Sequence, residues 1–384
     1  MVKIKKMTGG EICSNKKCTG CWACVNICPK SCISMQPGIL GHLYPVVNQS
    51  KCIDCKLCYK ICPENNGFVN LSYPLTAYAA WHKVESDYLS STSGGAATAF
   101  AQYILKSGGV VYGCASSKGL NIEHVRIGSV VDVALLKGSK YVQSFIGDVY
   151  QQIRQDLNRN LRVLFIGTPC QCAGLKNFLK EIYENLYCVD LICHGVPSQK
   201  LLKSHVRDVS MSRGALVSFR KGNDMGLRIF DNENRLIYYS NVWYERFKDT
   251  YYNTFIDGYT YRDSCYRCRY ANPKRCSDVT IGDFWGLGED LKHDNINGCS
   301  CILPISEKGL ELVKSSELEL HERSINEAIN GNAQLRTPKT ETSRIKLFRA
   351  IYRTVGIKRA YLLCETDNIF LLKVIKPIKR RLGL

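Results

Sequence analysis

Residues 16–35 read KKCTGCWACVNICPKSCISM and place Cys18, Cys21, Cys24 and Cys28 ahead of Pro29, with two, two and three residues between successive cysteines. The pattern returns from residue 51 in KCIDCKLCYKICPEN, as Cys52, Cys55, Cys58 and Cys62 ahead of Pro63. Three thiolates on a tight loop can hold three irons of one 4Fe-4S cube. The fourth is carried off by the helix that follows and reaches the cube of the other run. The doubled spacing therefore predicts one cluster on Cys18, Cys21, Cys24 and Cys62, and another on Cys52, Cys55, Cys58 and Cys28. Zinc takes four ligands per site and has no use for a run of this kind, let alone two. Disulfides would need an oxidising compartment, and the opening residues do not read as a secretory leader. Cys13 and Cys32 fit neither run and are expected to be ordinary thiols.

The chain has 384 residues, 21 cysteines, 45% hydrophobic residues and a formal net charge of +18. Its length accommodates a small ferredoxin module and one large or two medium domains. No stretch of about 18 apolar residues is present, so no span is expected. So many cysteines without a leader point to metal ligation in a reducing cytoplasm. Each oxidised cube with its thiolates carries about −2, so three would leave about +12. A surplus of that size steers an acidic electron carrier such as ferredoxin or flavodoxin. No helix-turn-helix, zinc-finger or RNP-type pattern accompanies it, so no nucleic acid is expected as a partner. Part of the surplus is local: Lys346, Arg349, Arg353, Lys358 and Arg359, then Lys373, Lys376, Lys379, Arg380 and Arg381, interleave with apolar residues. That tail reads either as a packed, solvated terminal helix pair or as a peripheral contact with anionic lipid at the inner membrane face.

The expected fold is an α+β ferredoxin-like double-cluster module over residues 1–72, an α/β flavin-binding domain over 73–337, and a short basic helical tail over 338–384. The middle domain divides into an N-terminal part, about 76–155, and a C-terminal part, about 160–335. Strand and helix patterns alternate after residue 73. In STSGGAATAFAQYILKSGGVVYGCA, Ser93 reads as an N-cap, residues 96–106 as a helix and GVVYGCA as a buried strand. RVLFIGTPCQCAGLKNFL reads as strand, loop and helix, LYCVDLICHGVPS opens the same way, and DVTIGDFWGLGED as a strand entering a glycine-rich loop. Residues 215–260 hold several β-like runs of no assignable fold. Catalytic and cofactor groups gather where strands of such units end, because loop amides and helix N-termini are unpaired there.

STSGGAATAF, KGSKYVQS, FIGTPCQCAGL, VDLICHGVPS, YRDSCYRCRYANP and DVTIGDFWG together resemble the beta subunit of the coenzyme F420 (8-hydroxy-5-deazaflavin) hydrogenases and dehydrogenases, a family that includes 7-hydroxymethyl chlorophyll a reductase. The resemblance runs from about residue 76 to about residue 305. It implies FAD, iron–sulfur clusters and electron transfer between a one-electron carrier and a two-electron partner.

A flavin nucleotide presents a pyrophosphate, which favours a glycine-opened helix N-terminus and a fixed cation. Ser93, Gly94 and Gly95 offer the first and Lys140 the second. Tyr141, Gln143 and Ser144 are placed to bond phosphate, ribityl chain or ring, and Thr168 and Pro169 to line the same strand ends. Cys265 and Cys268 form a CxxC hairpin, while Cys170 and Cys193 each close a strand. These four, all within the resembling motifs, are the expected ligands of a third 4Fe-4S cube, with Cys172 and Cys276 as alternatives. His194 is a candidate proton donor. Asp283 is a candidate base, flavin partner or turn residue. The leading expectation is a ferredoxin-linked iron–sulfur flavoenzyme acting on a small-molecule substrate. The alternatives are an electron-input subunit working with a deazaflavin inside a larger complex, and a non-catalytic redox sensor or scaffold in a surface-polysaccharide assembly.

Overall fold

The computed structural model describes residues 11–65, 69–117, 119–245, 247–288, 290–291 and 297–365. The two cysteine runs fold as near copies. In each a loop enters a short helix, Ala23–Ile27 or Leu57–Lys60, and the fourth cysteine of the run lies just beyond it. The backbone repeats as well. Gly20 and Trp22 both have φ of 68°, and Asp54 and Lys56, at the matching offsets, have 49° and 59°. Left-handed conformations are uncommon for residues other than glycine. Their recurrence in both loops turns successive N–H groups toward one concave side, the geometry of an anion-binding nest. A hairpin of Ile33–Pro37 with Leu43–Val47 separates the runs.

Beyond the module lies an eight-stranded sheet in the order Leu318–Arg323, Ala77–His82, Ser300–Pro304, Val279–Asp283, Leu186–Leu191, Val163–Gly167, Val110–Ser117, Asn121–Ile127. The four strands beginning at Val279, Leu186, Val163 and Val110 are parallel. Their runs of Val, Leu, Phe and Tyr are buried, as strands covered on both faces require. The helices Val149–Asn158 and Pro169–Leu179 make the crossovers. Parallel pairing brings Gly167, Leu191 and Asp283 to one edge of the sheet. Because Asp283 lies opposite Ser300, and Ser300 opposite Ala80, the turn holding Ser93 to Gly95 reaches that edge too.

The two expected parts of the middle domain share this one sheet, since the strand from Ala77 pairs with strands from Ser300 and Leu318. Residues 215–260 form a three-stranded antiparallel sheet, Leu216–Lys221, Asp224–Phe230 and Leu236–Asn241, followed by the helix Thr250–Ile256. Ser93 is not the cap of the helix Ala96–Lys106. Gly95 takes that position at φ 86°, and the Ser93 hydroxyl donates to Cys299 O at 3.2 Å.

The described part of the tail is two helices, Ser343–Val355 and Ile357–Glu365. Ile345, Phe348 and Tyr361 are buried in one core with Tyr251, Tyr252 and Tyr259. The apolar face of these two helices is thus spent inside the protein, as the packed-pair alternative has it, and Arg349 donates to Tyr261 O at 2.9 Å and pairs with Asp263. Lys373, Lys376, Lys379, Arg380 and Arg381 lie outside the described residues. Among the described residues no helix is long and apolar enough to cross a membrane.

Candidate functional site

Cys18, Cys21 and Cys24 line a cavity that Cys62 enters from the second run. Conversely, Cys58 lies within electrostatic reach of Cys28, Cys55 and Cys52. The fourth cysteine of each run thus sits with the first three of the other, because the short helix in between carries it across. Burial pushes the Cys21 thiol up to about 12. The Cys18 thiol is instead held down to about 6, chiefly by a hydrogen bond from Cys13 that outweighs burial, with the Arg262 charge assisting. Cys13 and Cys32 are not the detached thiols their spacing suggested. Cys13 lines the same cavity and bonds Cys18 and Cys62. Cys32 places its sulfur 3.3 Å from that of Cys28 and donates its backbone N–H to the same sulfur at 3.4 Å. The cavity and the paired left-handed loops fit two cubes.

The third group assembles at the sheet edge. Cys170 is the second residue of the helix Pro169–Leu179, Cys193 follows the strand Leu186–Leu191, and Cys265 and Cys268 lie in and just beyond the turn Asp263–Arg267. Burial raises the Cys170 thiol, and Cys193, Cys268 and Cys265 all repel its ionised form. Cys265 is raised in the same way, by burial and then by Cys193 and Cys268. The two alternatives face elsewhere. Cys172 donates its S–H to Val189 O and Cys276 to Pro169 O, each at 3.7 Å. Among the described residues no three donors crowd to single-ion distance. A cube, with a thiolate at each of four corners, asks for a wider spread. Arg275 supplies the test of fit. It is 1% exposed and its Nε and Nη2 have no partner, while Nη1 lies 3.9 Å from Asp190. Its charge acts on Cys193 and Cys268. A buried guanidinium with open N–H groups is costly unless an acceptor meets it. An anionic, sulfide-bearing cube on these thiols would be such an acceptor.

Next to this group lie the residues expected to hold a flavin. A Cβ on Gly94 would fall 2.1 Å from Ala80 O and 2.5 Å from Ser300 N, so only glycine permits the turn to close on the sheet. Lys140 is not a waiting phosphate cation. Its Nζ donates to Leu136 O and Lys137 O at 2.8 Å each, and burial lowers its pKa. Tyr141 stacks on Phe255 with ring centroids 5.2 Å apart. Gln143 donates to Thr19 O at 3.0 Å and accepts from Arg262. Ser144 bonds His124 and Gln171. Thr168 caps the helix that Pro169 begins, in a box with Gln171. Asp283 is ion-paired with Arg220 at 2.6 Å. It holds a buried cation at the edge rather than standing as a free base, and sequence reading had passed over Arg220. His194 lies at the exposed rim. Packing around it lowers its pKa against the pull of Asp283.

Comparison with known proteins places these two regions separately. Residues 17–66 match the 4Fe-4S dicluster domain, and residues 160–327 match the C terminus of the coenzyme F420 hydrogenase/dehydrogenase beta subunit. The chain is thus similar to that beta subunit over a match that spans less than half of its residues. No curated protein matches it. Among solved structures it is similar to a chain of the F420-reducing NiFe hydrogenase complex from Methanosarcina barkeri, at 16% identity and a TM-score of 0.44, over 76% of this chain and 92% of that one. The match over residues 160–327 takes in all four thiols of the third group, together with His194, Arg220, Arg275 and Asp283. Ser93 to Gly95 and Lys140 to Ser144 fall before it.

Proposed function

We propose that the chain carries electrons between a one-electron carrier at its amino-terminal module and a two-electron substrate at the sheet edge. Cys18, Cys21, Cys24 and Cys62 would hold one 4Fe-4S cube, Cys28, Cys52, Cys55 and Cys58 a second, and Cys170, Cys193, Cys265 and Cys268 a third. FAD would lie against Ser93 to Gly95, Tyr141 and the Arg220–Asp283 pair. When bound, the cubes supply one-electron steps and the flavin the pairing that a two-electron substrate needs. The observation that carries this reading is one helix. Pro169–Leu179 presents Cys170 at its start, and its Gly174 backs so closely on the module that an added Cβ would lie 2.8 Å from Cys21 Cβ and 3.0 Å from its sulfur. One rigid element thus spans the module's inner cavity and the edge thiols. Arg220 contributes a fixed positive charge there, and Gly94 lets the backbone approach closely.

The family's description favours a second reading in which the two-electron partner is a deazaflavin inside a larger complex. Anaerobically purified full-length chain decides both points. About twelve irons and bound FAD are expected, and Cys268→Ala should remove about four irons while the module keeps about eight. In that variant dithionite should still bleach the flavin, but reduced ferredoxin should do so slowly. Full iron retention would dissolve the third centre. Rapid reduction of the wild-type chain by reduced deazaflavin, with none by ferredoxin, would select the second reading.

A further inference from the structure

We infer that Arg262 and Arg275 poise the two inner iron–sulfur centres, raising their reduction potentials against the burial that lowers them. The inference rests on the three-centre reading above. Among the described residues these two arginines head the largest fully buried side chains, and each lies near the thiols of a different centre. Arg262 donates from Nη2 to Cys18 Sγ at 3.3 Å. Its Nε reaches Cys18 O at 2.6 Å, and Nη2 also reaches Leu43 O at 2.7 Å. Gln143 accepts from Nη1 at 3.1 Å, and the guanidinium lies over the Tyr44 ring, 4.2 Å from its centroid. Its hydrogen bonds therefore go to a thiol, carbonyls and an amide, and none goes to a carboxylate.

Arg275 stands beside Cys193 and Cys268 with Nε and Nη2 open. Asp190 balances it only partly, from 3.9 Å, and is also bonded by Ser277. Among the described residues no buried arginine is bonded to the thiols of the centre on Cys28, Cys52, Cys55 and Cys58, whose nearby Lys30 and Lys51 are exposed, and its Cys55 is exposed to water. Reduction adds one electron and no proton to a cube, so the reduced form carries one more negative charge. Water stabilises that charge at the outer centre. At the inner ones, whose thiols are buried or half-buried and none exposed, a fixed guanidinium and its N–H groups add to that stabilisation, because charge and hydrogen bonds to sulfur set such potentials and act strongly in a low dielectric. Arg262 and Arg275 are thus positioning residues for electrons, and they keep the buried centres reducible from the exposed one.

Redox titration of full-length protein followed by EPR tests this in the wild type, Arg262→Gln, Arg262→Lys and Arg275→Gln. Arg262→Gln should make one centre at least tenfold harder to reduce, about 59 mV for one electron, and leave the other two unmoved. Arg275→Gln should do the same to a different centre. Arg262→Lys, which keeps the charge and loses the fork, should fall between. Midpoints unchanged at full iron content would overturn the inference, since a merely structural role costs iron or stability without moving a potential. A wild type that shows only two centres would overturn the three-centre reading instead. Should a variant lose its iron, wild-type protein labelled with nitrogen-15 in the arginine guanidinium keeps the question open to measurement. Pulsed EPR of the reduced centres should then show nitrogen-15 coupling at two of the three, and coupling at none would sink the idea.

Discussion

His124 shows how a single buried residue ties the fold to pH. It lies 6% exposed on the strand Asn121–Ile127, stacked on Phe165, with Nε2 at 3.0 Å from Ile166 O and Nδ1 at 3.0 Å from Ser144 Oγ. The pattern closes if Nε2 donates to the carbonyl and Nδ1 accepts from Ser144, whose oxygen then accepts from Gln171. A second ring proton has no acceptor there, and burial pushes the pKa down to about 4. Between an ordinary value near 6.5 and about 4, the unfolded chain binds a proton that the folded chain refuses. Stability therefore falls as pH falls through that window and levels off below it, with a limit of about 3 kcal/mol from this one residue. Thermal unfolding of wild type and His124→Gln across the window should show a shallower fall in the variant. His42, pushed down to about 3, acts in the same sense and remains in both. Parallel slopes would remove His124 from the account. None of this was legible in the sequence, where the histidine stands in an ordinary β run. The cysteine spacing was legible because a cube dictates its own intervals. Arg220, Arg262 and Arg275 were not, because a cation's partner is fixed by packing between segments far apart in the chain.

Gly174 makes the corresponding case for an element. Helix propensity alone favours alanine over glycine in a helix interior by about 1 kcal/mol. Contact with the module argues the other way, because the added methyl would press on Cys21 and lie 3.2 Å from the Tyr150 hydroxyl. Overpacking of this kind costs about 1–3 kcal/mol, so the contact should win. Gly174→Ala should displace the Cys21 loop and lower iron content by up to about four atoms, while the Cys52 loop keeps its own. Iron and sulfide counts with EPR check this, and a variant that melts higher with full iron would show that the helix does not bear on Cys21. Elements whose signals were local could be read from the sequence: the helix Ala96–Lys106, the strand Val163–Gly167 and the strand Val279–Asp283 all lie close to where periodicity put them. The pairing of Ala77–His82 with strands more than two hundred residues later leaves no local trace. The sheet at Leu216–Asn241 was obscured by its irregular register, which shifts in both ladders.

At the scale of the whole molecule, charge and the exposure of the thiols point to the same docking face. Fifty-two Lys and Arg against thirty-four Asp and Glu leave +18, or about +12 once three cubes are counted. Cys55 is the exposed member of the module's ligands, whereas Cys18, Cys21 and Cys62 are buried. Lys30 and Lys51 stand exposed beside Cys28 and Cys52, which belong to the same outer group. On the proposed reading, an acidic one-electron carrier would be drawn to the face where the electron path comes nearest to water. Such steering weakens as the Debye length shrinks from about 10 Å at 0.1 M salt to about 3 Å at 1 M. The second-order rate of flavin reduction by an acidic ferredoxin should fall steeply over that range. Lys51→Glu should lower the rate at low salt by several-fold and lose most of its effect at high salt, while reduction by an uncharged small reductant stays the same. Stopped-flow absorbance resolves the two series. A rate indifferent to salt and to Lys51 would move the entry point away from the Cys55 loop, and with it the inward direction argued for the buried arginines.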